Sequence, residues 1–145
     1  MNSEDVKATF ALIMDKRMAT LYPTMAFQAI NTGIYASVFI KMMVDTMDDR
    51  SSWSDSDKTS NALLCMLGLG SGEIVGSVVF GRITDNCTHK KTVILNAMMT
   101  SLSYVFLFLY GSIYDFSFTL AVLMTFTWGL QDSGVNCLLN SLLGF

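Results

Sequence analysis

The chain has 145 residues, of which 52% are hydrophobic and only 14% are charged, whereas a soluble domain normally spends about a quarter of its residues on charge. Its formal net charge of -3 leaves no basic surface that could follow a phosphate backbone, which argues against a nucleic-acid partner. From this composition we expect an integral membrane protein. The cysteines Cys65, Cys87 and Cys137 lack the spacing of metal ligands, so we expect it to hold no metal and no cofactor.

Residues 1–17 form the first predicted element. Acidic and basic side chains interrupt this segment, which excludes a secretory signal. Apolar side chains recur in it at helical spacing, namely Val6, Phe10, Ile13 and Met14. The pattern fits an amphipathic helix that lies on the cytoplasmic surface of a membrane. It fits a solvated tail equally well.

Four apolar stretches follow, and each is long enough to cross a hydrocarbon layer about 30 Å thick. They cover residues 18–40, 59–81, 92–114 and 116–138. The predicted fold class is therefore all-α. Residues 18–145 are expected to form one polytopic membrane domain of four transmembrane helices.

Polar side chains share one face of the first span. Thr24, Gln28, Asn31 and Tyr35 follow one another at intervals of four, three and four residues, which places them on one side of a helix. Such a stripe either lines an aqueous pathway or bonds to neighbouring helices. The spacing is compatible with both roles.

The second span combines a glycine ladder with a buried acid. Gly68, Gly72 and Gly76 recur every four residues, so they are expected to line a face where another helix backbone approaches closely. Glu73 lies in the same apolar run, and an ionisable group at membrane depth normally faces a cavity or a partner. The helix is predicted to end at Gly81 and to give way to a short basic turn.

The third span is uncharged, and its second half is rich in aromatic residues. These are Tyr104, Phe106, Phe108 and Tyr110. Aromatic and apolar side chains are common on surfaces that face lipid. We therefore predict that this half of the helix faces the bilayer.

The fourth span carries a second polar stripe. Thr125, Gly129, Asp132, Asn136 and Asn140 fall on one helical face, and a carboxylate in such a stripe is not expected to point toward lipid. Together the spans supply a candidate solute or ion pathway made of polar residues from three helices. Its predicted members are Gln28, Asn31, Tyr35, Glu73, Asp132 and Asn136.

The distribution of Lys and Arg predicts the orientation. Four crossings place six basic residues on the side of the N-terminal segment and the basic turn, and three on the opposite side. Basic residues are in excess on the cytoplasmic side of membrane proteins. We therefore predict a multi-pass protein whose N-terminus is cytoplasmic.

The turn after the second span has a recognisable spacing. Asp85 follows Gly81 by four residues, and Lys90 and Lys91 come five and six residues later. This arrangement resembles the signature loop of the major facilitator superfamily of secondary transporters, although Asn86 replaces a basic residue that is usual there. The resemblance implies that the turn is a cytoplasmic gate loop between the second and third helices of a six-helix half.

Two further stretches resemble the second half of the Unc-type, ion-channel-regulatory-protein-like branch of that superfamily. They are residues 70–76, GSGEIVG, and residues 128–136, WGLQDSGVN. The resemblance implies that the four spans correspond to the seventh to tenth helices of a twelve-helix fold, which is a partial half-bundle. The chain is thus expected either to be a fragment or a truncated gene product, or to assemble in the lipid bilayer with the missing half or with another membrane protein.

Two functions follow from these observations. The first is secondary transport of a small solute or cation by alternating access, in which Glu73 or Asp132 either couples a proton or merely accepts hydrogen bonds. The second is regulation or trafficking of another membrane protein such as an ion channel. An enzyme is not expected, because the only histidine, His89, lies among lysines in the basic turn and no nucleophile elbow is present.

Overall fold

The computed structural model describes residues 6–7, 11, 14–47 and 53–143. Its elements are all helical: α1 (Lys16–Gly33), a π-helical segment (Ile34–Phe39), α2 (Ile40–Asp45), α3 (Asp55–Asn86), α4 (His89–Ile113) and α5 (Phe118–Leu143). The first three follow one another without a break and make one long helix. The described ranges contain no strand, which confirms the all-α prediction. Most of the predicted amphipathic segment, residues 1–17, lies outside them.

Two of the long helices have the length and composition needed to cross a membrane. These are α3 and α4, the best candidates within the described residues. Large apolar side chains on both helices point away from the protein, including Leu67 at 68%, Ile74 at 69% and Phe108 at 75% exposure. Lipid is the solvent that suits such surfaces. The chain is therefore a membrane-associated helical protein, and two of the four predicted spans have direct support.

Close contact between the backbones of α3 and α5 organises the fold. A Cβ atom on Gly72 would overlap the carbonyl oxygen of Phe126, and one on Gly129 would overlap the carbonyl oxygen of Leu69. A Cβ atom on Gly76 would lie only 2.8 Å from the Cβ of Ser133. Small residues on both helices thus allow the backbones to touch, as in other membrane-helix pairs. We call this contact the glycine seam.

Side-chain to backbone hydrogen bonds attach the other helices to α5. The Thr125 hydroxyl donates to the Cys65 carbonyl oxygen at 2.7 Å across the glycine seam. From α4, the Ser103 hydroxyl donates to the Thr127 carbonyl oxygen at 3.0 Å. The Asn96 amide donates to the carbonyl oxygen of Gly134 at 2.9 Å. Each of these polar side chains is buried, so α5 is the central helix to which α3 and α4 are bonded.

The side chains inside the bundle are apolar at one end and more polar at the other. Its apolar core is formed by the end of the first long helix and the residues just after it, the first halves of α3 and α5, and the end of α4 with the connection that follows: Phe39, Met43, Met47, Ala62, Cys65, Leu69, Tyr110, Phe116, Ala121, Met124 and Trp128. The second half of α3 packs instead against the polar part of α5. This division places every candidate pathway residue of α3 and α5 beyond the apolar core.

The helix that was predicted to end at Gly81 continues beyond it. α3 continues through Asn86, and the chain becomes extended only at Cys87, whose N–H donates to the Ile83 carbonyl oxygen at 2.8 Å. A single glycine costs a helix about 1 kcal/mol, which does not stop a helix whose following residues continue the hydrogen-bonding pattern. The predicted gate loop is therefore mostly helical. Only Cys87 and Thr88 connect α3 to α4.

The aromatic half of α4 was predicted to face outward, which is correct for Phe108, only partly correct for Phe106, which packs against the apolar core, and wrong for the two tyrosines. Tyr110 is fully buried, and its hydroxyl shares a 2.8 Å hydrogen bond with the hydroxyl of Thr46. The ring of Tyr104 packs edge-on against Trp128, with the ring centroids 5.2 Å apart. A tyrosine hydroxyl inside a membrane needs a hydrogen-bond partner, so both tyrosines turn inward.

The glycine seam makes a prediction about stability. Gly72→Ala should lower the free energy of unfolding by about 1–3 kcal/mol, because the added Cβ meets backbone that cannot move aside. The matched control is Gly70→Ala on the same helix, where a Cβ meets nothing within 4 Å. We expect this control to be neutral or slightly stabilising. Thermal unfolding in detergent would measure both, and equal effects would contradict the seam.

Candidate functional site

Asp132 lies at the centre of a polar cluster that joins α1 to α5. Its side chain is only 6% exposed. One carboxylate oxygen accepts a hydrogen bond from the Gln28 amide of α1. The other accepts one from the Asn136 amide at 3.1 Å. A buried carboxylate needs such donors, and the two predicted stripes meet here.

Asn31 joins the same region to α4. It is fully buried, and its side-chain oxygen accepts a hydrogen bond from the Tyr104 hydroxyl at 3.0 Å. The Tyr104 ring packs on Trp128, which also packs edge-on against Phe39 at 4.8 Å between centroids. The first long helix, α4 and α5 are therefore joined here by one hydrogen bond and two edge-on ring contacts.

Tyr35 has a different environment from the rest of the predicted stripe. It lies in the π-helical segment and packs, partly buried, against the apolar core. The four-residue interval from Asn31 keeps Tyr35 on the same side of the helix, but one turn further along, where the apolar core begins. Tyr35 does not line the groove that contains Glu73.

An open groove of about 450 Å³ runs between α3 and α5. Its lining includes Glu73, Ser77, Asp132, Asn136 and Asn140. Two carboxylates from different helices thus face one space. No Lys or Arg of the described residues contributes to this lining, so the described walls of the groove are electronegative.

The groove continues toward the end of α3. A second space of about 270 Å³ shares Cys137 and Asn140 with the first and is also lined by Gly81 and Asp85. Two of the four residues predicted for the gate loop therefore lie in the same groove as Glu73. The other two do not, because Lys90 and Lys91 are exposed in the first turn of α4. We refer to the two spaces together as the acidic groove.

Comparison with known families gives a clear result. The whole chain, residues 1–145, matches the family described as "Ion channel regulatory protein UNC-93". The chain belongs to the UNC-93 family. Neither the curated proteins nor the solved structures yielded a match.

The polar cluster of this UNC-93 chain holds residues that the sequence patterns did not single out. Gln131 is fully buried, and neither polar atom of its amide has a hydrogen-bond partner among the described residues. The same is true of the Trp128 indole N–H and, among the residues that the sequence did predict, of the Asn31 amide nitrogen. Leaving a buried donor or acceptor unpaired costs about 1–3 kcal/mol. This cluster is thus the least satisfied part of the described protein.

Among the residues of this region whose placement the sequence patterns missed, only Tyr104 gave a usable signal in the sequence. A tyrosine in an apolar span needs a partner for its hydroxyl, and this rule alone would have turned Tyr104 inward. Gln131 and Trp128 stand beside the polar stripe of α5 without sharing its interval. Their burial depends on α1 and α4 packing against that side of α5, which no spacing within α5 reveals.

The acidic groove predicts selective labelling of a native cysteine. In a Cys87→Ser background, Cys137 should react with a water-soluble thiol reagent about tenfold or more faster than Cys65, since thiol reactions need access to water. Cys137 lines both parts of the groove, whereas Cys65 is fully buried. The mass shift of the peptides would measure both rates. Asn140→Trp should slow labelling of Cys137; equal rates for both cysteines would contradict the groove.

Proposed function

We propose that this UNC-93 family chain is a multi-pass membrane protein that regulates another membrane protein, such as an ion channel. The observation that carries this proposal is the family match over residues 1–145. The partner is a protein of the same bilayer, since the chain is a membrane-associated helical protein. Transport of a solute is a second candidate.

The acidic groove supplies a contact surface for such a partner. Glu73 and Asn136 present acceptors and donors to an open space rather than to another helix of the described protein. Polar side chains at membrane depth are used as contacts between helices. We expect the regulated protein to place a helix in this groove, and the side chains of that helix to donate hydrogen bonds to the groove residues.

We further infer that all four long helices cross the bilayer as part of a major-facilitator-like half-bundle. The polar residues that make α5 less apolar, such as Gln131 and Asp132, are buried against other helices, so they do not prevent insertion. The basic residues favour a cytoplasmic location for the N-terminus and for the connection between α3 and α4. Gly81 and Asp85 then lie at the cytoplasmic end of the acidic groove.

Site-specific crosslinking tests the regulatory proposal. A photoreactive amino acid at Ser77, which lines the groove, should capture a defined integral membrane protein in cells. The same group at Met98, which is 64% exposed on α4 away from the groove, should not. The ionic current of the captured protein should change when the chain is co-expressed.

A matched pair of bulky variants connects the contact to the effect. Asn136→Trp should fill the groove and abolish both the capture and the change in current. Ile94→Trp adds a similar bulk to an exposed position of α4 and should abolish neither. The proposal would be refuted if both crosslinker positions captured the same protein equally well. It would also be refuted if the change in ionic current were the same with Asn136→Trp as with the wild-type chain.

Secondary transport has one specific observation in its favour. Glu73 and Asp132 line the same groove although they belong to different helices, and paired carboxylates at membrane depth are common in proton pathways. Alternating exposure of these groups to the two sides would couple protonation to a conformational change. In this reading the gate residues Gly81 and Asp85 control access at one end.

Proton flux in liposomes distinguishes transport from regulation. If the chain transports, liposomes that contain it should admit protons under an imposed pH gradient, and a pH-sensitive dye inside them would report the flux. Glu73→Gln and Asp132→Asn should each reduce it to the level of empty liposomes, because each removes one of the two carboxyl groups that the proposed proton path needs. Asp55→Asn, at the start of α3 and outside the groove, should not. Equal flux from both groove variants and wild type would exclude coupling through these acids.

A further inference from the structure

A second groove lies at the opposite end of the bundle from Asp85. It has a volume of about 400 Å³ and is lined by Ser37, Val38, Lys41, Met42, Asp45 and Tyr114, a volume within the range that small-molecule sites occupy. It is formed by the end of the first long helix and by the residue that follows α4. α4 is a candidate membrane span, and a bilayer crossed by α4 would have its boundary between hydrocarbon and headgroups at this groove.

The lining of this groove combines both signs of charge with an apolar wall. Lys41 and Asp45 are one helical turn apart, and the structure gives neither an ion-pair partner among the described residues. Val38 and Met42 lie on the same stretch of helix and supply apolar surface. A cation, an anion and an apolar wall in one groove match the headgroup and upper acyl chain of a zwitterionic phospholipid.

Tyr114 adds an aromatic surface in an unusual backbone conformation. Its φ of 47° makes it the only described non-glycine residue with a positive φ, and such residues concentrate at ligand-binding and other functional sites. The side chain is 60% exposed and lines the groove. The face of an aromatic ring attracts a quaternary ammonium group, which is the cation of a choline headgroup.

The π-helical segment contributes to the same groove. Ser37 and Val38 belong to it, and π-helical turns inside α-helices occur frequently at functional sites. The longer repeat shifts the residues that follow it around the helix axis. Lys41 and Asp45 are the first charged residues after this shift.

We propose that this groove binds the headgroup of a choline phospholipid. Lys41 pairs with the phosphate, while Asp45 and the ring of Tyr114 hold the ammonium group. The acyl chains leave along Val38 toward the bilayer core. This site is independent of the acidic groove, with which it shares no lining residue.

Native mass spectrometry tests the proposal directly. The purified chain is incubated in vesicles that contain equal amounts of phosphatidylcholine and phosphatidylglycerol, and the lipid retained on the released protein is identified. We expect retention of one phosphatidylcholine. Lys41→Gln and Asp45→Asn should each reduce it about tenfold, because each removes a charge-assisted contact. Lys90→Gln, exposed in the first turn of α4, should leave retention unchanged.

A pair of Tyr114 variants keeps the test valid if a charge variant fails to fold. Asn tolerates a positive φ, so Tyr114→Asn keeps the backbone and removes the ring, and it should lose the lipid. Tyr114→Phe keeps the ring and should retain it. Three results would overturn the proposal: no retained lipid, a preference for phosphatidylglycerol, or equal phosphatidylcholine retention in wild type and Lys41→Gln.

Discussion

The contact between the backbones of α3 and α5 is the constraint on which the rest of the structure depends. Gly72 and Gly129 allow each helix to touch the carbonyl oxygens of the other. At this separation the Ser133 hydroxyl reaches the Glu73 carbonyl oxygen at 2.8 Å. The acidic groove then follows directly, because Glu73 and Asp132 leave the contact on the same side. A wider separation would place lipid or another helix between the two carboxylates.

The same contact explains how α5 can be both central and polar. A helix that carries Gln131 and Asp132 is poorly suited to lipid, yet α3, α4 and the first long helix cover these positions. Exposed apolar side chains belong largely to α3 and α4, which lie outside. The polarity of α5 therefore reflects its position in the bundle. It is compatible with a membrane environment for the whole helical protein.

Much of this arrangement could be predicted from intervals within single helices, since an interval fixes which residues share a face. The glycine ladder of α3 faces the neighbouring backbone expected of it, and Gln28 and Asp132, from two separate stripes, are hydrogen-bonded to each other. The failures have a different origin. Gly81 lies inside α3 because local propensity is weak compared with a continuing helix. Tyr104 and Tyr110 turn inward because of partners on other helices, Asn31 and Thr46.

Within the part of the chain that the structure describes, the walls of the acidic groove come from α3 and α5, and its open side is where the two candidate functions diverge. Carboxylates at membrane depth require a counter-charge, a hydrogen-bond donor or water, and no lining residue of the groove is basic. A donor from another polypeptide would satisfy Glu73 permanently and would make the groove a contact surface. Water would instead form hydrogen bonds with Glu73 that break and re-form, and transport requires such reversible contacts. Membership of the UNC-93 family, described by its regulation of ion channels, favours the protein partner, because a regulator needs a stable contact with the protein that it controls.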